Sequence, residues 1–213
     1  MGTYYSAKEM LLKFQDYWKK FHPELGEFHK NWLLKHGQVR PMVKGETLVA
    51  AEDRQSAIYI VLAGLLVKQR YCPHRNRYNI MNVALPHMGI FTTIHFYSKS
   101  PALGDINCLR SGLLLKIPYK AIIPYRQNET AIDTLVNLLI NKQKHQLDHL
   151  RVMGSIPNVT ERYFYFADYL PQLYSVLNIR EQSDLLLISE SSVHRAKRLY
   201  LKRRTKNEFT IKL

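Results

Sequence analysis

The residues with the clearest chemical potential lie in a basic segment near the end of the chain, residues 189–202. Ser189, at its start, carries a hydroxyl that can cap a helix, and Arg and Lys side chains follow at helical spacing. Arg can bind guanine O6 and N7 bidentately, whereas Ser hydroxyls and a helix N-terminus can bind phosphate. The candidate DNA-binding residues are Ser189, Glu190, Ser191, Ser192, His194, Arg195, Arg198 and Lys202.

A second short helix is predicted just upstream, over residues 180–186, with room for a tight turn at 187–188. In the basic segment, the apolar face consists of Val193, Ala196, Leu199 and Tyr200. Two short helices with polar residues at the start of the second indicate a helix-turn-helix, whose second helix enters the major groove. The alternative is a solvated basic helix, because patterns of this kind also match unrelated proteins.

The charge balance points to the same class of partner. The 213 residues include 31 Lys and Arg against 17 Asp and Glu, a net charge of +14, and the pI is near 9.8. Such an excess favours a polyanionic partner, most often nucleic acid. Charge alone would also suit a non-specific nucleic-acid binder, which should show no sequence preference at any ionic strength.

The longest predicted helix covers residues 130–154, where apolar residues recur three and four apart. Because strand-like sequence precedes it and short basic helices follow it, we interpret it as a connector and a dimer seam; an ordinary core helix is the alternative. This gives an effector domain over 1–129, a dimerisation helix over 130–154 and a DNA-binding domain over 155–213. The proposed seam residues are Ile132, Leu135, Leu139, Leu147, Leu150 and Met153.

Between these helices and an N-terminal helical region over residues 5–36, the chain is rich in short β-type runs separated by turn residues. Their number and spacing predict an antiparallel roll or barrel, so the fold class is α+β. A hairpin tip is expected at residues 73–77. The predicted strands cover residues 38–43, 47–51, 58–67, 78–85, 90–96 and 113–117.

Several classes of function are disfavoured. No apolar run approaches the roughly 20 residues that span a bilayer, and the N-terminus lacks a secretory signal, so we expect no membrane partner and a cytoplasmic protein. Two cysteines cannot ligate an iron–sulfur cluster by themselves. His145 and His149 have a metal-compatible spacing, but such a pair on a polar helix face is usually solvated. We expect no metal, no cofactor and no enzymatic activity.

The order of these features resembles the Crp/Fnr family of bacterial transcription regulators, over residues 33–204. The resemblance rests on residues 43–48 (VKGETL), 58–66 (IYIVLAGLL), 91–94 (FTTI), 100–101 (SP), 161–163 (ERY) and 188–195 (ISESSVHR). It implies an N-terminal β-roll like those that bind cyclic nucleotides (a jelly roll), a long dimerisation helix and a C-terminal winged helix-turn-helix.

The resemblance also implies roles for individual residues. Glu190, Ser191 and Arg195 occupy positions that read bases in the family, and Ser192 a position that contacts phosphate. The wing would have to come from residues 207–213. Two positions depart from the family pattern: Leu187 stands where the turn usually has Gly, and Gln182 stands at a normally apolar position. These departures predict a loosely packed or unusually angled helix-turn-helix.

The effector pocket departs further from the family pattern than the helix-turn-helix does. At the positions where the family binds a cyclic nucleotide, this chain has neither a Glu for the ribose nor an Arg for the phosphate. Burying an unpaired phosphate charge is costly, so we expect cyclic AMP and cyclic GMP not to bind. Two interpretations of the roll stay open: it holds an unknown small-molecule effector near Thr92, Thr93 and His95, or it holds none and serves only as a dimer scaffold.

The sequence therefore predicts a homodimeric regulator that binds double-stranded DNA specifically. The alternative is a ligand-binding or protein-interaction module that has lost DNA recognition.

Overall fold

The structure, a computed structural model, describes residues 6–91, 100–125 and 130–210, without the side chains of residues 125, 130–133 and 206–210. It divides into two compact units. The first comprises Met1–Arg70 and Val83–Lys144, and the second Tyr71–Asn82 and His145–Leu213. The domain boundaries expected after residues 129 and 154 remain a prediction. Among the described residues, no helix is long and apolar enough to cross a membrane.

The N-terminal helical region consists of two helices, α1 (Ala7–Lys19) and α2 (Glu27–His36). The prediction for residues 5–36 is thus confirmed within the described residues, and the break between the helices includes Pro23. Helix α1 begins at a capping box in which the Ser6 hydroxyl accepts from a backbone N–H of the first turn.

The strands form an antiparallel sheet in the order β1-β6-β3-β4, with β2 paired to β6 and β5 to β3. The strands are β1 (Gln38–Met42), β2 (Thr47–Val49), β3 (Ala57–Cys72), β4 (Arg77–Ala84), β5 (Gly89–Ile90) and β6 (Asp105–Pro118). This confirms the α+β class and the antiparallel pairing. The predicted hairpin tip is also present as a short 3-10 turn, Pro73–Arg75, between β3 and β4.

Strands β3 and β6 are longer than the sequence predicted. Strand β3 continues through Gly64 with a local shift of register against β6. Gly64 has φ +90°, and a Cβ there would lie 2.5 Å from the carbonyl oxygen of Arg110. Glycine thus permits a β-bulge rather than ending the strand.

The long helix α3 (Thr130–Ser155) is confirmed. Its first half packs in the core of the first unit, where Leu135 and Leu139 are 3% and 1% exposed and share a cluster with Phe14, Ile58 and other buried residues. The prediction that Leu135 and Leu139 form a dimer seam is therefore wrong, because their side chains are already enclosed by their own protomer. The side chain of Ile132 lies outside the described residues.

The second unit contains the second half of α3, the β3–β4 hairpin tip and four further helices. These are α4 (Val159–Tyr169), α5 (Pro171–Val176), α6 (Ile179–Leu186) and α7 (Glu190–Thr210). The wing predicted over residues 207–213 is wrong as far as the structure describes the chain, because α7 continues as helix to Thr210. A segment that keeps its hydrogen bonds within one helix cannot also pair as a β-hairpin.

Candidate nucleic-acid interface

Helices α6 and α7 are joined by a tight turn that contains Leu187. This residue adopts the left-handed conformation, with φ 58° and ψ 34°, at the position where the resemblance expects glycine. The turn is closed by Ser183, whose hydroxyl donates to the carbonyl of Ile188 at 2.5 Å. Leucine therefore accepts a conformation that favours glycine, and the two helices meet as a helix-turn-helix.

Gln182, the second departure from the family pattern, is buried with 2% exposure, and both polar atoms of its side chain are hydrogen-bonded. Its Nε2 donates to the carbonyl oxygens of Leu177 at 2.8 Å and Tyr174 at 3.3 Å. Its Oε1 accepts from the hydroxyl of the buried Tyr163 at 3.3 Å. A buried amide with these partners fixes the position of α6 rather than loosening it.

Helix α7 begins at a cluster of three serines. The Ser189 hydroxyl accepts from the backbone N–H of Ser192 at 3.2 Å, which caps the helix as the sequence predicted. The same oxygen lies 2.9 Å from the Ser191 hydroxyl and donates to that of Ser192 at 2.8 Å. The N-terminus of α7 thus carries hydroxyl groups beside the N–H groups of its first turn, a combination that suits an anion.

One face of α7 is core and the opposite face is exposed. Val193, Ala196 and Tyr200 are buried at 0%, 1% and 5% exposure. On the opposite side, at intervals of three and four residues, lie four exposed polar residues that we call the polar stripe: Ser191, Arg195, Arg198 and Lys202. The structure thus brings four of the predicted residues onto one accessible face. Ser189, Glu190 and His194 are also exposed, and Ser192 is half-buried.

Two arginines of the β3–β4 hairpin contact the helix-turn-helix, and no sequence pattern pointed to them. Nη2 of Arg75 donates to the carbonyl of Ile188 in the turn at 3.2 Å. Nε of Arg77 lies 2.5 Å from a carboxylate oxygen of Asp184, and its Nη2 lies 3.9 Å from the carboxylate of Glu190. These pairs join residues more than 100 positions apart, which no local pattern can reveal.

Aromatic rings from α4 and α5 surround the buried side of α7. The Tyr200 hydroxyl donates to the Asp168 carboxylate at 2.7 Å; burial, and then this hydrogen bond, raise the pKa of Tyr200. Burial also raises the pKa of Tyr163. Two cations of α7 rest on rings of this group: Lys197 Nζ lies 5.9 Å from the centroid of Tyr174, and Arg203 Cζ lies 5.3 Å from that of Phe164.

The remaining seam residues lie in the second half of α3. Leu147 and Leu150 are half-buried, whereas Met153 is only 3% exposed. Leu147 and Leu150 thus keep part of their surface free for a partner helix, and Met153 does not. Their role in a dimer stays a prediction.

His145 and His149 form an aromatic contact on α3. Their rings meet edge to face at 4.7 Å, and Nδ1 of His149 lies 2.9 Å from the Tyr165 hydroxyl. The described residues contain no group of three His, Cys, Asp or Glu side chains that could hold a metal ion.

The predicted effector residues Thr92, Thr93 and His95 lie outside the described residues. In strand β3, Lys68 is 8% exposed, and this burial lowers its pKa.

No protein-family model and no curated protein matches the sequence. Solved structures do match. FixK2 from Bradyrhizobium japonicum aligns over 78% of this chain and 85% of its own, with a TM-score of 0.64 and 11% identity. The c-di-GMP responsive global regulator CLP of Xanthomonas campestris aligns over 84% and 91%, with a TM-score of 0.61 and 13% identity.

A third match is TTHB099, a transcriptional regulator of the CRP family from Thermus thermophilus. It aligns over 78% of this chain and 85% of its own, with a TM-score of 0.57 and 13% identity. All three alignments extend over most of both chains, although few residues are identical. The resemblance inferred from the sequence is therefore confirmed at the level of the fold: the chain has the fold of the Crp/Fnr transcription regulators.

Proposed function

We propose that the protein is a transcription regulator that binds double-stranded DNA in a sequence-specific manner and catalyses no reaction. The observation that carries the proposal is the polar stripe of Ser191, Arg195, Arg198 and Lys202 on the exposed face of α7. A helix buried on one side and polar on the other can enter the major groove without leaving its own core. The net charge of +14 supports the same partner.

The side chains of α7 divide into two roles. Arg195 lies near the start of the helix, where it would bind a guanine, and Ser191 and Glu190 would contact neighbouring bases. Ser189, Ser192, His194, Arg198 and Lys202 would contact phosphate and sugar. Phosphate repels a carboxylate, but Arg77 lies 3.9 Å from Glu190 and offsets part of that charge. Glu190 can then accept from a cytosine amine.

We further propose that two copies associate through the second half of α3, using Leu147 and Leu150. A symmetric dimer of helix-turn-helix units binds a palindrome whose half-sites lie about one helical turn apart. We propose that the protein acts in the cytoplasm.

The effector domain is proposed to hold an unidentified small molecule or none, and not a cyclic nucleotide. The proposal rests on the missing Glu and Arg described above, because a buried phosphate needs a paired positive charge. Calorimetric titration with cyclic AMP and cyclic GMP is expected to show no heat of binding; submillimolar binding of either would contradict it.

The function is tested by enriching binding sites from a random duplex pool at near-physiological salt. A palindrome is expected for the wild type. Arg195→Ala should lose preference at one base position in each half-site, by about 1–3 kcal/mol, whereas Lys202→Ala should weaken binding to all sequences alike. Lys8→Ala, an exposed cation of α1, is the matched control and should change neither.

Two results would count against the proposal. If the wild type enriches no motif, specific DNA recognition is absent, and the β-roll becomes the functional part of the molecule. If Arg195→Ala and Lys202→Ala lose affinity equally on every sequence, α7 binds DNA by charge alone.

A further inference from the structure

Two cations of α7 are held in place by aromatic rings of the same unit. The Lys197 ammonium lies 5.9 Å from the centre of the Tyr174 ring, and the Arg203 guanidinium lies 5.3 Å from that of Phe164. Neither cation belongs to the polar stripe. We call Lys197 and Arg203 the ring-held cations.

The ring-held cations lie on opposite flanks of α7. A helix turns about 100° per residue, so Lys197 follows Val193 on one side of the buried face and Arg203 falls near Ala196 on the other. The polar stripe lies between the two flanks on the far side of the helix. When a helix lies in the major groove with one face toward the bases, its flanks face the phosphates of the two groove walls.

The ring contacts leave the cations able to bind phosphate. A guanidinium that stacks on a ring uses its flat face and keeps its N–H edge for bidentate contact with phosphate oxygens. An ammonium over a ring keeps the N–H groups that point away from it. Because the rings restrict both side chains before DNA arrives, less rotamer entropy is lost on binding than for a free Lys or Arg.

Helix α7 carries positive charge into the region where a winged helix-turn-helix would have its wing. In a winged helix-turn-helix the wing supplies backbone contacts, but here α7 remains helical up to Thr210, the last residue that the structure describes. Residues 201–205 are all exposed, and they carry Lys202, Arg203 and Arg204. Positive charge therefore continues along the helix into the region where a wing would begin.

We propose that Lys197 and Arg203 form a phosphate clamp, in which one ring-held cation on each flank of α7 binds the DNA backbone on each wall of the groove. The clamp rests on the proposed function, because it assigns the part of the same DNA surface that holds the backbone rather than reads bases. It predicts contacts that add affinity without adding base preference.

The test measures the salt dependence of binding between about 50 and 200 mM salt, on the enriched duplex and on a scrambled one. The clamp variant is Lys197→Gln with Arg203→Gln. The control is Lys8→Gln with Lys20→Gln, two exposed cations of the α1 region that give the same change in net charge. Gln keeps helix propensity close to that of Lys and Arg, and circular dichroism checks that both variants are folded.

The clamp variant is expected to flatten the plot of log K against log salt by about 1.8, which is about 0.9 for each lost phosphate contact. It should lose the same factor of affinity on both duplexes, so base preference is unchanged. The control should leave the slope within error of the wild type. Equal slopes for clamp and control variants would overturn the proposal.

A second variant, Phe164→Leu, keeps both charges and removes one ring. Affinity should fall several-fold while the salt slope stays the same, because the contact survives but is less ordered. Unchanged affinity would refute the role of the ring. If the wild type shows no base preference, the proposed function fails, yet the slopes on any duplex still decide whether the clamp exists.

Discussion

Leu187 in the turn of the helix-turn-helix provides a test in which the usual order of two substitutions is reversed. With φ 58° and ψ 34°, it holds a conformation that costs an L-residue roughly 1–2 kcal/mol. Glycine escapes this cost but loses about 0.5–1 kcal/mol more to the flexibility of the unfolded chain. Leu187→Gly should therefore be more stable than Leu187→Ala by about 0.5–1 kcal/mol.

The comparison of Ala with Gly cancels the contribution of the leucine side chain itself. Leu187 is 53% exposed, and both variants lose the same partial burial of its branched carbons. Leu199, 43% exposed in the middle of α7, is the matched control. At that position the helix favours alanine, so Leu199→Ala should be more stable than Leu199→Gly by about 1 kcal/mol.

Urea unfolding at fixed protein concentration, followed by circular dichroism, measures the four free energies of unfolding. The result that supports the reasoning is an opposite sign of the Ala-to-Gly difference at positions 187 and 199. If alanine is the more stable residue at both positions, the turn in solution does not hold the left-handed conformation, and the description of the helix-turn-helix turn is wrong.

Three further predictions concern buried or partly buried polar groups. Gln182→Leu should lower the free energy of unfolding by about 1–3 kcal/mol in urea titrations, although leucine suits the family pattern, because it leaves the buried Tyr163 hydroxyl and two carbonyls without their partner. A gain in stability would show that these hydrogen bonds contribute little. A double-mutant cycle of Arg77→Met and Asp184→Asn should give a coupling energy above the ~0–1 kcal/mol of exposed pairs, since the two side chains are 22% and 15% exposed; a coupling near zero would contradict the pair. Burial lowers the pKa of His87, so the native state binds fewer protons there than the unfolded chain. Stability from this group is present above the unfolded pKa of about 6.5 and is lost as pH falls from there through the lowered native value. His87→Phe should flatten the decline in the free energy of unfolding between about pH 7 and 5, and an unchanged decline would assign it to other histidines.

Local patterns in the sequence were sufficient to predict most elements of secondary structure. The apolar period over residues 130–154 predicted α3, which runs from Thr130 to Ser155, because the residues that define a helix face lie within one or two turns of each other. Five of the six β-type runs and the hairpin tip were found for the same reason; of the run at residues 90–96, only Ile90 is strand among the described residues. The polar stripe of α7 followed from spacing alone, since three- and four-residue intervals place side chains on one face of any helix.

Only the tertiary structure decided what each apolar helix face packs against. The same leucines suit a partner helix or the protomer's own core, and packing against the sheet assigned Leu135 and Leu139 to the core. Gln182 departs from the apolar residue that the family pattern has at this position. Only its hydrogen bonds to two carbonyls and a tyrosine hydroxyl show that it fixes the position of α6.

Long-range contacts likewise could not be predicted from the sequence. Arg77 meets Asp184 across more than 100 residues, and Lys197 and Arg203 meet their rings through the packing of α7 on α4 and α5. The sequence by itself determined the helices, the strands and the charges that they carry. The tertiary structure decided which of those side chains are enclosed, paired or free, because burial and pairing depend on neighbours that are distant in the chain.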